Sequence, residues 1–473
     1  MNNFKQYYGL MLEFFDTIDG AVKHIDHLEE NILNKGKQGV IEAMNQIEAS
    51  ISYFVDESDY KISTKFDGAP AIVAGVDTTG KFFVASKSAF AIDPKINYTE
   101  QDIINNHGSG GLSEKLKEAL KYLPSLNLKG IYQMDYMFDS LPNDEGSDFK
   151  PGKEIVVPKL VDGVKNENEF ITFKPNTIIY AVTPDSPYGD KISRAKIGVA
   201  VHIEYVVQNG ILKVKKYASD PSEFSSSSTV FVFNVLSNKP KNAKSSFSKL
   251  LLRDVQKKKK RVLALADKIK FSALDDYTAL IKTYINTEIR AGRFLDDTSE
   301  STTKFIEWMA SRHQKEVDRV VDRRQEVLDE IKGLEDGTAK KRKTTQVKKM
   351  LTRIDDKKNS KEKVVAELKK LRPSIKGVFE TTKIIANLKD NLIEIFNELT
   401  RNDLLGTYLE EGKGVWQTTA PEGFALSRVD NVEGANITKL VNRAEFSAAN
   451  FGTGKPKSGA PVAVEAEPAS VEP

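Results

Sequence analysis

Lys65-Phe66-Asp67-Gly68 puts a primary amine two residues ahead of a carboxylate, where the run ISTK meets a Gly-Ala-Pro bend. An amine becomes a nucleophile once it loses its proton, so the pKa of a free lysine, about 10.4, has to come down. Partial burial beside other cations does this. Asp67, at i+2 in extended chain, shares a face with Lys65. Gly68 leaves room for backbone to approach a ligand closely. The competing reading is an ordinary ion pair on a strand surface, which is worth little.

A nucleophilic lysine needs a rigid sheet behind it. From about residue 50 to 235, short β-rich runs alternate with turns: AIVAGV, KFFVAS, GIYQMDYMF, FITF, TIIYAV, KIGVAVHIEYVV and ILKVKKY, bounded by DTTG, KPN, PDSPYGD and QNG. Residues 62–90 read as a β-hairpin with Lys65 near its start, and SEKLKEALKYL (113–123) as an amphipathic helix. Ahead of them, Val22, Ile25, Leu28 and Ile32 fall at helical spacing and Gly36 breaks the run. From 242 to 400 strand signals vanish into charged helical stretches, with Gly333 and EDGT (335–338) marking a turn between two long antiparallel helices. β-type sequence returns at 412–450, in a piece too short to stand alone. The predicted organisation is N-terminal helices at 1–50, an α+β domain built on antiparallel sheet at 51–240, a basic helical insertion at 241–410, strands completing the α+β domain at 411–450, and a disordered tail at 451–473.

The chain of 473 residues is long enough for two or three domains, and it contains no cysteine, which excludes disulfides and thiolate chemistry. No apolar run approaches the ~20 residues that span a bilayer. The first residues, MNNFKQYYGLMLEFFDTIDG, lack an export pattern, so a cytoplasmic setting is expected, the host cytoplasm if the gene is viral. The net charge of +3 is unevenly spread: residues 241–400 carry +13 and the rest −10. A basic middle points to a polyanionic partner. The candidate nucleic-acid contacts are Lys257 and Lys258, then Lys340, Lys341, Arg342 and Lys343, with Lys348, Lys349 and Arg353 beyond. The plainer reading is a helical hairpin with solvated faces.

In their order, the motifs resemble those of the covalent nucleotidyltransferases, the family of ATP-dependent DNA and RNA ligases and mRNA capping enzymes. K-x-D-G is Lys65-Phe66-Asp67-Gly68; the returning strand VASKSAF carries Ser86-Lys87 where the family has Ser-Arg; IYQMDYMF supplies Asp135, preceded by Gln133. AKIGVAVHIEY offers His202 or Tyr205 as a base-stacking ring, PEGF gives Glu422-Gly423, and NITKLVNR gives Lys439. The resemblance covers about 62–90, 131–136, 197–205 and 421–443. It implies an antiparallel-sheet, ATP-grasp-like ligase domain with a large α-helical insertion. It also implies that Lys65 becomes a nucleotidyl-lysine, with Asp67 and Lys439 assisting, and that Lys87 and Lys439 lower the Lys65 pKa by repulsion while neutralising the phosphates. Gly68, Ser86, Lys87, Asp135, His202, Glu422 and Lys439 would hold the nucleotide, and ATP with Mg²⁺ on Glu422 would be required. Two departures are visible. Some 200 residues separate the stacking strand from Glu422, with LKVKKY (212–217) a competing lysine strand that no Glu-Gly precedes. No oligonucleotide-binding barrel has room after 443, which moves the resemblance toward RNA ligases with helical appendages. The organisation also suits a phage protein. The alternative function is a non-catalytic phage structural or binding module on a degenerate form of the same fold.

Other templates fail. No G-x-x-x-x-G-K-[ST] is present, and GTGKPKSG lacks its spacing. His24 and His27, with Glu29 and Glu30 nearby, read as surface residues rather than a zinc site. No nucleophile elbow marks Ser/His/Asp catalysis.

Overall fold

A computed structural model describes residues 27–52, 60–91, 93–145, 147–208, 211–236, 245–400, 405–428 and 437–442. The expected tail at 451–473, His24 and most of the first helical run lie outside the described residues. The protein is mixed α and β with mainly antiparallel sheets.

A small sheet joins the two ends of the chain: β1 (Tyr60–Lys65) pairs antiparallel with β15 (Gly423–Arg428), which pairs antiparallel with β16 (Ile437–Val441). A second sheet runs β11 (Ile211–Tyr217), β10 (Ile197–Gln208), β4 (Ile131–Phe138), β2 (Ala71–Val76), β3 (Phe82–Ser86), with β12 (Val230–Phe233) parallel to β10. Its alternating apolar residues, Ile72 and Ala74, Met134 and Tyr136, Val199 and Val201, bury one face under α2 (Glu100–His107) and α3 (Gly111–Tyr122). The predicted hairpin at 62–90 is here corrected. Its two strands are β2 and β3, turned at Asp77, whose Oδ1 accepts from the Thr79 and Lys81 amides, whereas β1 leaves for a different sheet.

The third sheet runs β5 (Lys150–Val156), β8 (Phe170–Lys174), β9 (Ile179–Val182), β13 (Gly406–Gly412), β14 (Val415–Thr418), β6 (Leu160–Val161), β7 (Val164–Lys165). β8 and β14 are three strand spacings apart, about 14 Å in a flat sheet. The rings of Phe170 and Trp416 nevertheless lie 6.1 Å apart, centroid to centroid. This sheet curls on itself around Phe170, Ile179, Ala181, Tyr408 and Trp416. The returning C-terminal sequence therefore divides, β13 and β14 going to the curled sheet and β15 and β16 to the small one.

The remaining helices are α1 (Asn31–Ser52), α4 (Pro187–Arg194), α5 (Ser245–Ala266), α6 (Thr278–Arg290), α7 (Thr298–Lys332), α8 (Thr338–Lys370) and α9 (Arg372–Thr400). Gly36 breaks the helical run as expected: with φ +59° and ψ −137° it is non-helical, and α1 is two helical pieces joined at that kink. Val40, Met44 and Ile47 of α1 share one core with Val255, Val262, Ile281, Phe305, Phe379 and Phe396, and with Ile62, Phe424 and Leu440 of the small sheet. The helical stretch is no free-standing appendage; it is the support on which the small sheet rests. From that support α7 and α8 project as an antiparallel hairpin. Asp297 caps α7 by accepting from the amides of Ser299 and Glu300. The seam of α8 uses Val347, Met350, Ile354, Lys357, Lys361, Val364 and Leu368, the alternating three- and four-residue spacing of a coiled coil. Lys357 reaches Glu316 across it at 2.5 Å and Lys361 reaches Gln314 at 2.7 Å.

Candidate active site

Residues directly opposed in an antiparallel pair point to the same face. Ile62 lies opposite Leu426, and Phe424 opposite Leu440, all four buried in the helical core, with the Phe424 ring 5.5 Å from that of Phe396. That apolar row forces the alternate residues outward. Lys65, opposite Gly423, and Lys439, opposite Ala425, share the face turned away from the helices. Gly423 is required where it stands: φ is +153°, and a Cβ would meet the Leu440 carbonyl oxygen at 2.0 Å.

The register brings Lys65 Nζ onto Glu422 Oε2 in an ion pair between side chains 30% and 17% exposed, across 357 residues of sequence. Burial lowers the Lys65 pKa, but the carboxylates of Glu422, Asp135 and Asp67 outweigh it and hold the amine above its ordinary value. The sequence-based expectation of a depressed lysine is reversed, for a definite reason. The two cations meant to repel Lys65 act on its partners instead, Lys87 on Asp135 and Lys439 on Glu422. Burial, with Asp67 nearby, leaves the Glu422 carboxyl above its ordinary pKa despite Lys65.

Asp135 sits on β4, opposite Ala71 and Ala200. His202 Nε2 is 3.0 Å from its Oδ2, though not aligned for a linear hydrogen bond, at a bulge where β10 slips register on β4. Burial raises the Asp135 pKa, but His202, Lys65 and Lys87 more than offset it and hold the group below its ordinary value. Tyr205, the other candidate stacking ring, is excluded: it is buried against Phe90 and its hydroxyl donates to Gln133 Oε1 at 2.9 Å. Ser86 caps the turn that follows it, accepting from the Ser88 amide at 3.1 Å, and this leaves Lys87 exposed at the mouth of the site.

Asp67 does not pair with Lys65 on a strand surface. It is buried, and its carboxylate accepts from the amides of Thr177 (2.7 Å) and Ile178 (3.0 Å) and from Asn176 Nδ2 (2.6 Å), while its own amide donates to Tyr180 Oη at 2.6 Å. Three donors commit that carboxylate to the β8–β9 turn, so Asp67 positions the lysine segment against the curled sheet rather than exchanging protons with a substrate. Asn176, Thr177 and Tyr180 are the partners that sequence reading missed; the KPN turn was the sole signal, and it named no contact. Gly68 lies flat on β4, where an added Cβ would meet Asp135 Cβ at 2.6 Å and the Tyr136 carbonyl oxygen at 3.0 Å. Gly68→Ala is expected to cost about 1–3 kcal/mol through that overlap. A lowered urea midpoint checks it, and an unchanged midpoint would show that β4 yields freely.

The predicted nucleic-acid residues lie on two different helices. Lys257 and Lys258 lie on α5, where Lys258 pairs with Asp254 at 2.8 Å. Lys340, Lys341, Arg342 and Lys343 lie in the first turns of α8, Lys340 pairing with Asp336 at 2.9 Å and Lys343 with Glu330 across the hairpin. Glu29 and Glu30, near His27, are buried: Glu29 meets Lys389 and Glu30 meets Lys282.

Among the described residues no cluster of three or more His, Asp or Glu side chains is arranged to hold a metal. Glu422 and Asp135 are the two carboxylates that act most strongly on Lys65. No helix among the described residues is long and apolar enough to cross a membrane. Residues 22–353 and 324–455 match the model of a family described as a family of unknown function (DUF6267), and the matched stretches take in Lys65, Asp135, His202, Glu422 and Lys439. No curated protein and no solved structure matches the chain.

Proposed function

The chain belongs to this family of unknown function, and we propose that it is an ATP-dependent, ligase-type nucleotidyltransferase that acts on polynucleotide ends through a nucleotidyl-lysine at Lys65. The observation that carries the reading is the convergence of Lys65, Glu422 and Lys439, from segments at opposite ends of the chain, on one face of a three-stranded sheet beside Asp135 and His202. The Lys65 amine attacks the α-phosphorus of a nucleoside triphosphate. The N–P bond forms as the Pα–O bond to pyrophosphate breaks, pyrophosphate leaves with the electron pair, and the amine proton passes to solvent. Lys439 and Lys87 neutralise phosphate charge, and Asp135 accepts hydrogen bonds from ribose hydroxyls. Mg²⁺, which Glu422 and Asp135 would hold, supplies further neutralisation of the phosphates when bound. Of the carboxylates around Lys65, Glu422 does most to raise its pKa, so a ligand that draws Glu422 away lowers that pKa and makes the amine easier to deprotonate.

Incubation with α-labelled ATP or GTP and Mg²⁺, followed by denaturing electrophoresis and mapping of the labelled peptide, tests the reading. Label on Lys65 supports it, and no label with any nucleotide leaves the fold as a binding module. Glu422→Gln should lower the Lys65 pKa, because it removes the carboxylate that stabilises the ammonium. The rise of labelling with pH should then move to lower pH, even where the maximal rate falls. A profile that stays in place would show that Glu422 does not govern the protonation of Lys65.

A further inference from the structure

The α7–α8 hairpin spends its charges unevenly. Residues 338–354 carry seven Lys and Arg and no Asp or Glu. Lys340 and Lys343 are taken up by Asp336 and Glu330. Lys341, Arg342, Lys348, Lys349 and Arg353 are exposed, and among the described residues no ion pair engages them. Val347, Met350 and Ile354 face α7, so the helical period places Lys341 and Lys348 on one flank of the outward face and Arg342, Lys349 and Arg353 on the other. At 1.5 Å per residue the strip from 341 to 353 is about 18 Å long, beside which a duplex would present a charge every 1.7 Å or so of its axis.

What the strip lacks is equally informative. α8 contains no Phe, Tyr, Trp or His, so nothing on it can stack an unpaired base. Cations separated by threonines and a glutamine hold phosphates without reading sequence. The α5 run is differently placed, with Lys258 and Lys259 engaged by Asp254 and Glu48 at 2.8 and 2.6 Å. We infer that the outward face of α8 is a docking strip for the phosphate backbone of a double-stranded nucleic acid, held without regard to base sequence. The inference rests on the proposed function for its purpose, giving the substrate class as duplex, although docking itself needs no nucleotide transfer. From 341 the helix runs about 44 Å to its end at Lys370, from which α9 returns to the core behind β15. A duplex on the strip would be held by its body, leaving an end free to reach Lys65.

The test uses the full chain and a variant carrying Lys341→Gln, Arg342→Gln, Lys348→Gln, Lys349→Gln and Arg353→Gln. Affinity is measured at several salt concentrations for a DNA duplex, an RNA duplex of the same sequence and single-stranded oligo(dT), with far-ultraviolet circular dichroism to confirm intact helices. The unsubstituted chain should bind duplex more tightly than oligo(dT), and preference for one duplex identifies whether DNA or RNA is the source. The slope of log affinity against log salt should flatten by about 0.9 per lost phosphate contact, hence by about 4–5 if all five engage. Covalent labelling of Lys65 should be unchanged. Equal affinity and slope in the variant, oligo(dT) bound as tightly as duplex, or no duplex binding by the unsubstituted chain would each overturn the docking strip. Loss of duplex binding in the variant with no Lys65 label in either protein would sustain the strip and sink the enzyme reading.

Discussion

Lys65→Ala is expected to abolish covalent nucleotide attachment, and Lys65→Arg to be equally inactive. Alanine removes the nucleophile. Arginine keeps a charge within reach of Glu422 but stays protonated at any usable pH, so it has no lone pair for phosphorus. The two variants differ in stability. Glu422 is 17% exposed and would lose its ion-pair partner in Lys65→Ala, at a cost of about 1–3 kcal/mol, whereas arginine can restore the pair. Denaturing electrophoresis with α-labelled nucleotide reads the first effect, and urea midpoints read the second. A labelled band in Lys65→Ala would mean that another side chain carries the nucleotide, and the assignment of the site would fall. No label in Lys65→Arg despite a midpoint near that of the unsubstituted protein separates lost chemistry from lost folding.

The two halves of this site were unequally legible. The β-rich runs are largely the strands of the structure, because alternation and turn residues act locally: AIVAGV is β2 end to end, and IYQMDYMF is β4. That Lys65 should meet Glu422 was legible only through the order of motifs, since no local property of ISTK or PEGF specifies a partner 357 residues away. The ionisation of Lys65 was not legible at all. A pKa is set by which charges lie nearest, and counting lysines gave the wrong sign because Lys87 and Lys439 are turned to Asp135 and Glu422. Asp67 was misread for a related reason: its spacing from Lys65 suggested a shared strand face, but β1 ends at Lys65 and the chain turns inward. Helical period likewise placed Leu28 and Ile32 in one apolar row without saying that their core would take in β15 and β16.

The largest stability effect is expected far from the lysine site, at Lys389→Ala, which should cost about 3–5 kcal/mol. On α9, Ile385, Lys389, Leu392 and Phe396 follow one another along a buried stripe, so a cation occupies a row that is otherwise apolar. Its Nζ donates to Glu29 Oε1 at 2.8 Å, both side chains are 1% exposed, and the other oxygen of Glu29 has no hydrogen-bond partner. Truncating the lysine leaves a carboxylate enclosed by protein with neither water nor counter-charge, whereas removing both charges does not. Lys389→Met together with Glu29→Leu should therefore lie within about 1 kcal/mol of the starting stability or exceed it, because the desolvation cost of a buried pair offsets most of its attraction. Urea unfolding followed by the helical circular dichroism signal reads both variants. A Lys389→Ala midpoint shift no larger than a surface substitution gives, about 0.5 kcal/mol, would show that water reaches the pair. The effect should also reach the site, because α9 packs through Phe396 against Phe424, two residues from Glu422. In Lys389→Ala, labelling of Lys65 should fail at lower urea than in the double variant. Labelling that survives to the same urea concentration in both would show that the small sheet holds Lys65 and Glu422 together without the helical core behind it.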